Sequence, residues 1–250
     1  MTRFKLVLEY HGGGFVGWQR QATGIGVQQA VEEAVHAFSG EHVRVMGAGR
    51  TDSGVHALGQ VAHVDIAKPV SAATVRDALN HFLSPRGVAV LHAHAVGADF
   101  HARFAASERG YRYRILNRRP PPALDRGRVW WVPQALDAEA MHAGARHLLG
   151  KHDFTSFRAS ECQADSPVRT LDHLAVERAD DEVVITARAL SFLHHQIRVI
   201  AGTLKLVGQG TWSSGDVALA LTARDRAAAG PTAPAHGLYL THVGYPGATG

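Results

Sequence analysis

The sequence predicts an α+β fold: two α/β domains with mainly antiparallel sheets. Three observations lead there. Apolar residues alternate with period two in several segments; other segments between them repeat every three to four residues; and the two kinds interleave without the strict strand–helix–strand period of a parallel sheet. With 250 residues and 26.8 kDa, the chain can bury roughly 70–75% of its extended surface, so its core needs no staples. A cut near residue 105 gives the expected domains, 1–104 and 105–250.

Residues 3–10, RFKLVLEY, set Phe4, Leu6, Leu8 and Tyr10 on one side of a first strand. From Val27 the set Val27, Ala30, Val31, Ala34, Val35 and Phe38 follows helical spacing, with Gly40 to end it. Alternation returns from Val61 to Ile66. Ser71 then caps a helix whose expected core face is Val75, Ala78, Leu79 and Phe82. Val88–Val96 reads as a strand, and YRYRIL at 111–116 as another, followed by a Pro-rich stretch at 119–122 that reads as peripheral. The second half predicts a helix over about 137–150, strands near 168–177 and 182–190, helices over about 192–207 and 214–223, and a last strand near 237–243. The Gly-Ala-Thr-Gly tail also reads as peripheral.

Composition narrows the function classes. The single cysteine, Cys162, excludes an internal disulfide and any Cys-x-x-Cys metal knuckle, which suits a reducing cytoplasm. No segment approaches the ~20 apolar residues of a membrane span, and MTRFKLVLEY lacks the apolar run of a signal peptide. A cytoplasmic protein with no membrane partner is expected. The net charge of +4 is ordinary, but only Lys5, Lys68, Lys151 and Lys205 among 26 basic residues are lysine. Arginine forks match phosphate and stack on bases, which makes nucleic acid a reasonable partner; an Arg- and Ala-rich codon bias gives the same composition. The 17 histidines form no metal-ligand motif, and His194 and His195, without partner ligands, read as structural.

Three motifs compete for chemistry. Gly12-Gly13-Gly14-Phe15-Val16-Gly17 has the spacing of a dinucleotide fingerprint, but that site needs a helix to begin inside the motif. Here WQRQATG intervenes, so a Gly-rich surface loop is the better reading. Asp52-Ser53-Gly54 matches the aspartic-protease triplet, whose second carboxylate only a symmetric homodimer could supply here, but that triplet usually follows apolar strand residues and here Arg50 and Thr51 precede it. The third reading is a lone ionised carboxylate. An aspartate needs no general base to act as a nucleophile, a neighbouring arginine would keep it charged, and glycines let a bulky substrate approach closely. Hydrolysis of a glycosidic bond usually wants two carboxylates. A reaction that returns the sugar to the same base could manage with one.

Six ordered blocks carry a resemblance: YHGGGFVGWQRQ, GAGRTDSGVHALGQVAH, FHARFAASERGYRYRILN, HDFTSFRASECQADSPVRT, FLHHQIRVIAGTLKLVGQG and HGLYL. Together they resemble the tRNA pseudouridine synthases that modify the anticodon stem-loop, over nearly the whole chain. The resemblance implies two α/β domains flanking a central RNA-binding cleft, a homodimer, tRNA as partner, and neither cofactor nor metal. It implies isomerisation of uridine at tRNA positions 38, 39 and 40. It assigns Asp52 as nucleophile, Arg198 as the arginine paired with it, and Arg50 as an RNA contact that helps extrude the base. Tyr111 would lie against the target base and Leu238 would line the pocket. On the residues alone, Tyr111 alternates with Tyr113 and either could be core, and Arg198 could be a solvated helix arginine. The alternative function is a tRNA-binding or RNA-chaperone protein without catalysis.

Overall fold

The computed structural model describes residues 1–247, so the last three residues of the tail read as peripheral lie outside the described residues. The chain forms two compact units: Met1–Ser107 together with the segment from Leu240, and Glu108–Tyr239. The first unit is discontinuous, because the last strand returns to it.

The first unit begins with β1 (Thr2–Tyr10), where Phe4, Leu6, Leu8 and Tyr10 are buried as the alternation requires. After a Gly-rich loop come α1 (Val27–Ser39), β2 (Met46–Gly47), β3 (His56–Ile66), α2 (Ala72–Leu83) and β4 (Val88–Val96). The strand order is β4-β1-β3, all antiparallel, with β2 along β3. Helix α1 buries Val27, Ala30, Val31, Ala34 and Val35 and ends where Gly40 turns left-handed at φ 78°. Ser71 caps α2 by accepting from the Thr74 N–H. The core face of α2 is Val75, Leu79 and Leu83. Phe82, expected inside, is exposed, because i, i+4 spacing from Val75 reaches Leu83.

The second unit contains β5 (Glu108–Leu116), β6 (Trp130–Trp131), α3 (Ala138–Arg146), β7 (Gly150–Asp153), β8 (Val168–Leu171), β9 (His173–Ala179), β10 (Glu182–Ala189), α4 (Gln196–Gly208) and α5 (Ser214–Ala223). Its main sheet runs β5-β10-β9, antiparallel, and buries Tyr113, Ile115, Val183, Ile185 and Ala187. Strands β7 and β8 form a separate antiparallel pair. The strand expected over 168–177 is therefore two strands in two sheets, broken at Asp172, whose N–H turns to the Arg188 carbonyl. Helix α4 is buried nearly all round, as an apolar central helix must be. Gly202 on α4 lies against the Pro231 carbonyl, where a Cβ would collide with backbone. Strand β11 (Leu238–Gly244) begins in the second unit and continues beside β3 in the first.

Candidate active site

Asp52 sits on the tight turn between β2 and β3. The Val55 N–H donates to the Asp52 carbonyl at 3.1 Å, and Gly54 has φ +81°. The side chain is partly exposed, while its neighbour Thr51 is buried. Behind the turn, the Tyr10 hydroxyl and the Thr51 hydroxyl are 2.8 Å apart. Burial pushes the Tyr10 phenol up to about 12, so it stays a neutral hydrogen-bonding group. Upstream, the Gln60 amide N–H donates to the Gly49 carbonyl at 2.9 Å, and the Ala48 N–H donates to the Val61 carbonyl. The segment leading into the carboxylate is thereby tied to interior strands.

The Gly-rich loop explains itself in this setting. Gly12–Gly14 form a single 3₁₀ turn, and no helix begins before Val27, so the loop presents no helix N-terminus to a pyrophosphate. Instead it clasps the Asp52 turn. The Gly12 N–H donates to His56 Nδ1, Ser53 donates to the Phe15 carbonyl, and the Trp18 N–H donates to the Thr51 carbonyl at 3.0 Å. Gly17, at φ +102°, lies so close that a Cβ would sit 2.6 Å from the Thr51 oxygen and 3.2 Å from Asp52 C. The buried Trp18 ring fills the space beside Gly47 and lies 6.3 Å from Tyr10. Gln28 on α1 anchors the loop's far end, accepting from Gln19 and Arg20 and donating to Glu32 and the Val45 carbonyl.

In the second unit Tyr111 lies on β5 opposite Ala187, half-buried, with its ring edge-on to Phe192 at 5.1 Å. Tyr113, two residues on, is fully buried and donates to the Pro234 carbonyl at 2.7 Å. The structure therefore separates the two tyrosines: Tyr113 is core and Tyr111 keeps an accessible face. Arg198 stands in the first turn of α4, where its Nε donates to the Ala233 carbonyl and the Ala233 N–H returns a bond to the Arg198 carbonyl. The segment from Ala233 to Leu238 passes Arg198, then Tyr113 at Pro234 and Gly237, and delivers the buried Leu238 to β11.

Of the sequence-predicted residues, Asp52 and the exposed Arg50 share the first unit, while Tyr111, Arg198 and Leu238 belong to the second. Three supporting residues escape a reading of the sequence. His195 takes a left-handed conformation, φ 62°, immediately before α4, so that helix begins at Gln196 rather than 192. Phe192 on that loop braces Tyr111. The buried Arg109 donates to the Leu190 carbonyl and fixes the loop's start. The run FLHHQIRVIAG carries helical apolar spacing through this loop, so periodicity offers no signal for the break.

The sequence matches a family described as tRNA pseudouridine synthase over residues 7–105 and 145–246. Asp52 and Arg50 fall in the first segment, Arg198 and Leu238 in the second, and Tyr111 between them. The chain is 57% identical over 249 residues to the tRNA pseudouridine synthase A of Rhodospirillum rubrum, covering 100% of this chain and 90% of that one. Its counterpart in Rhodospirillum centenum is 60% identical over 245 residues, with 98% and 100% covered. That of Paramagnetospirillum magneticum is 59% identical, with 98% and 96% covered. An enzyme of the isomerase class is thereby defined. The chain belongs to the tRNA pseudouridine synthase family.

Proposed function

We propose that this chain isomerises uridine to pseudouridine in the anticodon stem-loop of tRNA, at positions 38, 39 and 40, with Asp52 as nucleophile. The observation that supports it best is the Asp52 turn: one carboxylate, partly open to solvent, on a backbone held from behind by Tyr10, Gln60 and the Gly12–Gly17 loop. Preorganisation of this kind places an attacking atom without a general base.

The target uracil leaves the stack at a cost of a few kcal/mol. Stacking on Tyr111 returns ~1–3 kcal/mol, and phosphate contacts from residues such as Arg50 add to it. An Asp52 oxygen attacks ribose C1′ and the C1′–N1 bond breaks, its electron pair staying on uracil N1. The detached uracil turns, its C5 bonds to C1′ as the aspartyl oxygen departs, and the C5 proton leaves to a base or water while N1 gains one. Attack at uracil C6 or deprotonation at ribose C2′ are the competing first steps. Arg198 is assigned the guanidinium that keeps the nucleophile charged, and Leu238 an apolar wall that keeps water from the intermediate. A homodimer in the cytoplasm belongs to the same reading.

Tritium release from tRNA carrying C5-labelled uridine tests it. Asp52→Asn is expected to abolish release while tRNA affinity stays within a few-fold. Near-normal release from that variant refutes the nucleophile.

A further inference from the structure

The turn over residues 100–106 in the first unit presents one aromatic ring to solvent. Phe104 is 76% exposed, although its neighbours Ala102 and Ala106 are buried. A single exposed apolar side chain is ordinary, but this one is held in place. The His101 ring lies 4.4 Å from the Phe104 ring, tilted by 35°. His101 Nδ1 accepts the N–H groups of Arg103 at 3.1 Å and Phe104 at 3.3 Å, and the Ala105 N–H donates to the His101 carbonyl. With Nδ1 an acceptor, the neutral ring carries its proton on Nε2. The exposed Arg103 brings its guanidinium to 5.7 Å from the Phe104 ring.

The turn is also fixed to the segment that leads into the nucleophile. Ala102 packs with Ala48 and Val61, its N–H donates to His63 Nδ1 at 3.1 Å, and its carbonyl accepts from the Tyr245 hydroxyl at 2.7 Å. Ala48 precedes Asp52 by four residues, and the exposed Arg50 lies between them. An ordered aromatic face, a histidine and an arginine thus stand on a base that is continuous with the Asp52 turn.

We propose that Phe104, with His101 and Arg103 around it, is a stacking platform for an unpaired nucleobase of the tRNA near the target uridine. Every base has a π-face that an aromatic ring can take, and a guanidinium beside it suits the adjoining phosphate. A ring already ordered in the free protein loses little conformational freedom on binding. The inference rests on tRNA being the substrate but not on the chemistry assigned to Asp52.

The test is equilibrium binding of an unmodified tRNA transcript to the full chain, with circular dichroism confirming the fold of each variant. Phe104→Ala and Phe104→Leu are expected to weaken binding about tenfold, the size of one base–aromatic stack, while Phe104→Trp stays within twofold of the parent. Leucine binding as tightly as phenylalanine overturns the platform. So does a change of solution mass in Phe104→Ala with unchanged affinity per chain, which would make the ring a contact between copies. Because the readout is affinity and not isomerisation, an active Asp52→Asn would refute the nucleophile and leave this result standing.

Discussion

The two units hold the side chains proposed for function by opposite means. In the first, Asp52 and Arg50 sit on irregular backbone that is stiffened from outside by Tyr10, Gln60, Trp18 and the loop around Gly17. In the second, Tyr111 and Arg198 stand on β5 and the first turn of α4, regular elements that position them through their own hydrogen-bond ladders. A loop allows close approach by a substrate but has to borrow rigidity; a strand or helix is rigid already but offers fewer directions. The first unit should therefore lose function from backbone changes that hardly unfold it, and the second should lose stability.

The largest effect is expected at Gly17. Alanine there combines φ +102° with a Cβ 2.6 Å from the Thr51 oxygen, so the Asp52 turn must move. Turnover in the tritium assay should fall by ~100-fold or more, the cost of misplacing a reacting group by about an ångström. Gly202→Ala is the counterpart. Its Cβ meets the Pro231 carbonyl, and α4 can yield only by overpacking, at about 2–3 kcal/mol of stability measured by urea unfolding. If both variants lose only stability, the contrast between the units fails.

Within the second unit, Tyr113→Phe should cost about 1–2 kcal/mol by stranding the Pro234 carbonyl. Tyr111→Phe should cost less stability than Tyr113→Phe because its ring is only half-buried, and it keeps the stacking face; Tyr111→Ala removes that face and should slow turnover. A melting shift larger for Tyr111→Phe than for Tyr113→Phe would reverse their roles.

The last effect concerns pH. Burial, aided by Arg3 and His101, pushes the His63 imidazole down to about 4, and its Nδ1 accepts the Ala102 N–H. In the unfolded chain the ring protonates near its ordinary 6.5, so between about 6.5 and 4 the unfolded state binds more protons and stability falls as pH drops. Thermal melts across that window should show a decline that His63→Gln flattens. An unchanged slope would mean that His63 does not set it.

Much of this arrangement is legible in the residues, and the exceptions share a cause. RFKLVLEY gives β1 because a half-buried strand must alternate, and the glycines around Asp52 mark an unusual turn because few other reasons exist for so many. The break at Asp172 is hidden because VRTLDHLAVE carries apolar and β-branched residues on both sides of it with no Gly or Pro between. Strand β7 is hidden because Gly-Lys-His-Asp carries no apolar pattern. Phe82 and Leu83 are adjacent, and only the helix phase set by Val75 and Leu79 decides between them. Likewise Tyr111 and Tyr113 lie on one face of β5, and what separates them is Pro234 and Gly237, far along the chain. Local pattern specifies elements; partners distant in sequence decide which side chain on an element is left for chemistry.

The route of the chain has a consequence for biosynthesis. The polypeptide leaves the first unit at Ser107 and re-enters it only at Leu240, where β11 takes its place along β3. A ribosome therefore emits four strands of the first unit early and its fifth only after the whole second unit, leaving the β3 border without its β11 partner for roughly ten seconds or more of elongation. That border is a template for mispairing until β11 is made. A frameshift near codon 240 would thus disable the part of the enzyme that was translated first.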